Sequence, residues 1–220
     1  MITICQHGAG EPAGYLEMIF REKGAEYRVV RLYEGEELPP ETGTSLLIVL
    51  GGRMSANDER EYPFLNEEKD FIRRCIMTDV PVLGICLGAQ MIASALSRKV
   101  YPSIQERGWC DLVPLPNAGP FAICDRRTVF QWHNETFELP AGAELLAQSR
   151  SVPHQMFAYK SALGVQFHIE VTREIILAWA RDCTEADRNL MLAGSDRHLP
   201  ASERLCRTIV DEMLRRGGAS

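Results

Sequence analysis

The chain has no Cys-x-x-Cys or His-Glu-x-x-His spacing, no apolar run long enough to span a bilayer and no excess of positive charge. Each absence removes a class of protein. Without those ligand spacings a zinc centre has no support, and neither metal nor cofactor is expected. Seven cysteines, an odd number without close pairs, suit reduced thiols rather than a disulfide framework. The opening residues Met1-Ile2-Thr3-Ile4-Cys5 lack a basic lead and a cleavage site. The expectation is therefore a cytoplasmic protein with no membrane partner. A net charge of −6 argues against broad binding to nucleic acid. Internal repeats, linkers and low-complexity segments are also missing, so residues 1–220 are expected to form a single domain. What is present is ordinary for a globular chain: 45% apolar and 25% charged residues, enough to bury a sizeable core.

The most informative stretch is Pro81-Val82-Leu83-Gly84-Ile85-Cys86-Leu87-Gly88-Ala89-Gln90, followed by Met91-Ile92-Ala93-Ser94-Ala95-Leu96. Val82 to Ile85 reads as a short buried strand, and the residues from Leu87 onward favour helix. One cysteine sits between them, flanked at two residues on each side by glycine. A nucleophile on a sharp strand-to-helix turn needs that spacing, because small neighbours let the flanking backbones approach. The positive end of the following helix favours negative charge on the sulfur, and the free N–H of Leu87 can donate to an oxyanion. A buried, inert cysteine at a strand end is the competing reading.

Around this elbow the pattern alternates. Ile2 to His7 reads as a strand, Tyr15 to Lys23 as a helix stopped by Gly24, and Glu26 to Arg31 as a strand. A polar loop over Glu34 to Thr44 leads to Ser45–Leu50, a continuous apolar run suited to a parallel strand covered on both faces. That run ends in Gly51-Gly52, where backbone amides can approach a ligand. Pro63 to Thr78 reads as a helix. From Val100 to Leu139 the pattern changes to short β-like runs, Trp109 to Leu115 and Ala122 to Trp132, broken by proline and glycine. Glu144 to Gln148, Gln155 to Lys160 and Leu163 to Phe167 continue this antiparallel series. Thr172 to Asp182 and Ser202 to Arg216 read as amphipathic helices with a short helix between them. The fold class is α/β: a doubly wound, mostly parallel sheet flanked by helices, with added antiparallel strands.

A cysteine nucleophile requires a base and a group that orients the base. His168 follows the apolar run Leu163-Gly164-Val165-Gln166-Phe167, and Glu170 lies two residues on, within reach if the strand continues. His133, in Gln131-Trp132-His133-Asn134-Glu135, is the second candidate base. His7, His154 and His198 lie in loop-like contexts and read as solvated or structural.

Gly51-Gly52 after a strand, Gly84-Ile85-Cys86-Leu87-Gly88-Ala89-Gln90 and Gly164-Val165-Gln166-Phe167-His168-Ile169-Glu170 occur in the order seen in class I glutamine amidotransferases. The Trp132-His133 and Gln155-Met156-Phe157 segments also resemble the stand-alone branch related to the amidotransferase domain of GMP synthase. The resemblance runs from about Ile2 to Trp179. It implies a flavodoxin-like amidotransferase fold and a catalytic Cys86–His168–Glu170 triad. It also implies an oxyanion hole from the N–H groups of Gly52 and Leu87, and substrate contacts at Gln90 and at the backbone around His133. Arg53 stands where proline is usual, Ile169 replaces a proline, and Asn134-Glu135 replaces a Gly-Asp pair.

The implied reaction is hydrolysis of the γ-amide of glutamine through a γ-glutamyl thioester. No nucleotide-binding loop of the Ser-Gly-Gly-x-Asp-Ser or Gly-x-x-x-x-Gly-Lys-[Ser/Thr] type is present, so ammonia would pass to a synthase partner on another chain. The alternatives are a self-contained hydrolase or transferase acting on a γ-glutamyl compound, and a non-catalytic regulatory protein of the same fold. Arg53 leaves the Gly51-Gly52 strand with one fewer fixed φ. The free chain is therefore expected to hydrolyse glutamine weakly until a partner or a preferred substrate aligns that strand.

Overall fold

The apolar runs that flank the glycine motifs become adjacent parallel strands in the computed structural model, which describes residues 1–116 and 127–218. The N-terminal part runs β1 (Ile2–Gln6), α1 (Tyr15–Lys23), β2 (Tyr27–Arg31), β3 (Leu46–Val49), α2 (Phe64–Met77), β4 (Val82–Ile85) and α3 (Leu87–Ala95). An antiparallel part follows: β5 (Val100–Pro114), β6 (Arg127–Phe137), β7 (Glu144–Ser149), β8 (Met156–Tyr159) and β9 (Ala162–Val165). Helices α4 (Arg173–Trp179) and α5 (Glu185–Arg216) close the chain. The strands form one nine-stranded sheet in the order β2-β1-β3-β4-β9-β8-β7-β5-β6. Strands β2, β1, β3, β4 and β9 pair in parallel, and every pairing from β9 through β8, β7 and β5 to β6 is antiparallel.

Side chains of the parallel strands alternate between two cores, as the period of a strand requires. Ile2, Ile4, Leu46, Ile48, Leu83 and Ile85 face a layer containing Leu16, Ile19 and Phe20 of α1 and Ile209, Val210 and Met213 of α5. Cys5, Leu47, Val49 and Val82 face the opposite layer, with Phe71, Ile72 and Cys75 of α2 and Met91 and Ile92 of α3. Helices therefore cover both faces. A third, aromatic-lined cluster joins Phe130 of β6 to Ile176 of α4 and Met191 of α5.

The structure departs from the sequence reading in three places. The short β-like runs are parts of two long strands: β5 begins at Val100, well before the run expected from Trp109, and takes a register shift between Pro102 and Glu106. The first residues of the run expected from Ala122, and Cys124, lie outside the described residues. β9 does not simply continue the antiparallel series: it pairs in parallel with β4 and antiparallel with β8, so it is the seam between the halves. The short helix expected after Asp182 and the helix expected over Ser202–Arg216 are one 32-residue helix that contains Pro200, while the helix expected over Thr172–Asp182 stays separate as α4. A proline usually ends a helix. Here Met191, Ser195 and Leu199 before it and Ser202, Leu205, Cys206 and Ile209 after it keep one buried stripe, so packing on both sides carries the helix through. Among the described residues no helix is long and apolar enough to cross a membrane.

The elbow depends on close backbone contact. A Cβ on Gly88 would lie 2.0 Å from the carbonyl oxygen of Val49, and one on Gly84 would lie 2.4 Å from that of Gly88. Both obstacles are backbone and cannot rotate away. Gly88→Ala is therefore expected to lower stability by about 3 kcal/mol or more, read as a lower urea midpoint. An unchanged midpoint would show that α3 can retreat from β3 without cost.

Candidate active site

Cys86 occupies the turn between β4 and α3 with φ 52° and ψ −107°, a conformation that costs a non-glycine residue about 1–3 kcal/mol. The surrounding hydrogen bonds hold it there. Its N–H donates to Val165 O at 2.8 Å, and its carbonyl accepts from the N–H groups of Ala89 at 3.0 Å and Gln90 at 3.2 Å. The sulfur lies at the first turn of α3, 3.8 Å from the carbonyl oxygen of Trp132.

His168 arrives from the next strand in the sheet. β9 ends at Val165, and the chain then bends, so strand alternation does not carry Glu170 to His168 as the sequence reading assumed. The contact nevertheless forms: His168 Nδ1 lies 2.7 Å from Glu170 Oε1, with both side chains buried. The His168 N–H donates to Phe130 O at 2.8 Å. The Trp179 ring meets the imidazole edge-on, with centroids 4.8 Å apart. Glu170 is held by its own backbone, whose carbonyl accepts from Tyr15 N at 2.9 Å. Gly14 lets the chain pass there, because a Cβ at that position would lie 2.2 Å from Glu170 O.

Nε2 of His168 has no nitrogen or oxygen partner among the described residues, and Cys86 is the neighbour that acts on it. Burial by itself pushes the imidazole pKa down. The charge of Glu170, the neighbouring Cys86 sulfur and the hydrogen bond to Glu170 outweigh burial and raise it to about 10. Burial pushes the thiols of Cys5, Cys75, Cys110 and Cys206 up, to about 12 for Cys75 and about 11 for Cys110.

The Gly51-Gly52 backbone lies directly against this pair. A Cβ on Gly51 would be 3.1 Å from His168 Cε1 and 3.7 Å from Cys86 Cβ, and one on Gly52 would be 2.5 Å from Leu87 Cδ2. Among the described residues no protein acceptor faces the N–H of Gly52 or of Leu87. Gln90 is buried one turn into α3, where its amide nitrogen reaches Glu135 O at 3.2 Å and Gln166 Oε1 at 3.3 Å.

His133 lines the same region through its backbone, but its ring is occupied. Nε2 lies 3.1 Å from Glu106 Oε2, and Nδ1 lies 3.1 Å from Glu135 O. Glu106 also accepts from Ser149 Oγ and Gln155 Nε2, both at 2.6 Å. Burial pushes the Glu106 pKa up, but these hydrogen bonds together hold it below the usual carboxylate range. The spacing His-x-Glu occurs at His133 as well as at His168, so spacing alone does not choose the base. Geometry does, because the Glu135 carboxylate turns to Ser55 Oγ at 3.1 Å.

Two clefts meet at Cys86. One, of about 400 Å³, is lined by His168, Trp179, Arg107, Arg53 and Cys183; the other, of about 270 Å³, by Gln90, Glu135, Ser55 and Met54. Both share Gly52, Cys86 and the Trp132–Asn134 backbone region. Another cleft, of about 850 Å³ between β5 and α5, has neither Cys86 nor His168 in its wall. Arg107, Trp132, Trp179 and Cys183 were not singled out as site residues from the sequence. The guanidinium of Arg107 lies 4.7 Å from the Trp132 ring centre, a contact between strands with no local signature. His7, read as solvated or structural, is buried and bonded on both ring nitrogens.

Comparison with known proteins places this geometry in context. The glutamine amidotransferase class-I family matches residues 15–175. The chain is 32% identical over 180 residues to the glutamine amidotransferase-like protein YfeJ of Salmonella typhimurium, covering 77% of this chain and 75% of that protein. A glutamine amidotransferase from Thermotoga maritima superposes with a TM-score of 0.91 at 34% identity, over 97% of each chain. The glutamine-hydrolysing GMP synthase of Thermomicrobium roseum is 36% identical over 95 residues, which are 42% of this chain and 18% of that much longer protein.

Two measurements test the geometry. Brief treatment with a chloroketone analogue of glutamine should alkylate Cys86 first, with Cys183, in the wall of the same cleft, the nearest competitor. Preferential labelling of Cys110 or Cys124 by peptide mapping would contradict the arrangement. Because the folded His168 pKa is raised, the stability its pairing contributes is complete below the free-histidine value and is lost as pH rises through about 10. Glu170→Gln should move the ring titration down by about 1–3 units, followed by NMR of labelled histidine. No movement would mean that Glu170 does not govern the ring.

Proposed function

Because the chain belongs to the class-I glutamine amidotransferase family, we propose that it hydrolyses a γ-glutamyl amide, with glutamine as the parent substrate, through Cys86, His168 and Glu170. The observation that carries this reading is the arrangement around His168. Glu170 occupies Nδ1, which leaves Nε2 for the sulfur of a strained, strand-to-helix cysteine. The Cys86 thiolate attacks the side-chain carbonyl. The N–H groups of Gly52 and Leu87 receive the oxyanion at the start of α3. His168 gives its proton to the departing amine, leaving a γ-glutamyl thioester, and then takes a proton from the water that releases glutamate. Residues 1–220 act as one amidotransferase domain, and the similarity to glutamine-hydrolysing GMP synthases favours delivery of the ammonia to a synthase acceptor.

The two clefts favour a second reading for the substrate. His168 lies in the wall of the larger cleft and Gln90 in that of the smaller. The proton donor must face the leaving amine, so the glutamyl part belongs on the Gln90 side and the amine on the Trp179 side. A cleft of about 400 Å³ on the leaving side has room for an amine larger than ammonia, as in a γ-glutamyl peptide.

Steady-state release of glutamate from glutamine and from γ-glutamyl dipeptides, with Cys86→Ser as the blank, tests both readings. His168→Ala should lower kcat by at least about 100-fold on either substrate. Higher kcat/KM on dipeptides without a partner would select the self-contained hydrolase. Failure to trap a thioester on Cys86 from any of them would favour the non-catalytic alternative.

A further inference from the structure

His7 follows β1 and lies beneath the glycine strand rather than in solvent. Its side chain and that of Glu68, on α2, are both fully buried. Nε2 lies 2.9 and 3.1 Å from the two carboxylate oxygens of Glu68, and Nδ1 lies 3.0 Å from the carbonyl oxygen of Gly51. Both ring nitrogens therefore face acceptors, and the arrangement is satisfied only when each carries a proton. Burial alone would lower the imidazole pKa; the carboxylate of Glu68 and the Gly51 carbonyl outweigh it and raise it. The ring also stacks against Phe64, with centroids 6.3 Å apart.

Burying two ionisable side chains is costly, and an apolar pair of similar volume would usually be no less stable. Among the described residues, the only backbone group bonded to the His7 ring is the Gly51 carbonyl. Gly51-Gly52 is the most permissive backbone the chain could place there, and Arg53 supplies none of the φ restraint of a proline. In a trans peptide the carbonyl and the following N–H point in opposite directions, and the described residues contain no cis bond. Holding Gly51 O on the His7 side therefore turns the Gly52 N–H away from His7, toward the clefts it shares with Cys86. We propose that His7, braced by Glu68, is a positioning residue that sets the Gly51–Gly52 peptide in the orientation able to receive the oxyanion. The catalytic consequence rests on the acyl-transfer reading above; the anchoring of the peptide does not.

Asparagine and glutamine at position 7 separate the two hydrogen bonds. The asparagine amide reaches the place of Nδ1 and can keep the Gly51 contact. The glutamine amide reaches the place of Nε2 and keeps only Glu68. His7→Gln should lower kcat for glutamate release by about 100-fold, the loss expected for one oxyanion donor, while KM and the rate of Cys86 alkylation by iodoacetamide stay within about threefold. Alkylation is a displacement at carbon and forms no oxyanion, so it reports the sulfur alone. His7→Asn should recover at least about a tenth of the parent kcat. Equal losses in the two variants, or an alkylation rate that falls with kcat, would overturn the proposal. Crystal structures of both variants supply a readout that does not depend on turnover. The Gly51 carbonyl should leave its position in His7→Gln and keep it in His7→Asn; an unmoved carbonyl in His7→Gln defeats the anchor even if the parent hydrolyses glutamine. A moved carbonyl in a parent that hydrolyses nothing would sustain the anchor and sink only the hydrolytic reading.

Discussion

The parallel pairing of β4 with β9 is the constraint on which the site depends. It places Ile85 and Val165 side by side although 80 positions separate them, and the bond from Cys86 N to Val165 O continues the ladder past the end of β4. That bond holds Cys86 in a backbone region a cysteine otherwise avoids, and it fixes where the chain beyond Val165 must bend to bring His168 over the sulfur. β9 pairs with β4 on one side and with β8 on the other. The antiparallel half of the molecule is thus attached to the parallel half through the strand that delivers the histidine.

Among the described residues three buried histidine–carboxylate pairs surround this seam: His7–Glu68, His133–Glu106 and His168–Glu170. They differ in what the second ring nitrogen meets. In the first it is the Gly51 carbonyl, in the second the Glu135 carbonyl, and in the third no protein nitrogen or oxygen among the described residues. A histidine bonded on both sides is a strut. One bonded on a single side retains a free nitrogen, so under the proposed reading the same pair of residue types serves support in two places and proton transfer in the third.

Much of the parallel half was legible because its signals are local. Tyr15–Lys23, Val82–Ile85 and the helix start at Leu87 follow from apolar spacing, from Gly24 as a stop and from the glycines that flank Cys86. The ordered motifs pointed to Cys86, His168 and Glu170, which the fold brings together. The remainder depends on contacts between distant residues. Nothing near His7 announces Glu68, 61 positions later, and nothing near Arg107 announces Trp132. Pro200 argued locally for a break, and only the buried stripe on both sides of it shows why α5 continues. The His-x-Glu spacing illustrates the limit well, since it occurs twice and only the path of the backbone tells the two apart.

The tryptophans bear a consequence of a different kind. The chain has three, Trp109, Trp132 and Trp179, and all belong to one aromatic cluster centred on Phe130, with Trp132 and Trp179 only 5.8 Å apart. Trp179 also touches the His168 ring, and the carbonyl of Trp132 touches the Cys86 sulfur. The indole part of the near-ultraviolet signal therefore originates in a single cluster, two of whose three rings border the cleft at Cys86 and His168. A change in emission or in aromatic ellipticity on adding a compound reports on the surroundings of His168, while the distant edge of the sheet at β2 is optically silent to indole.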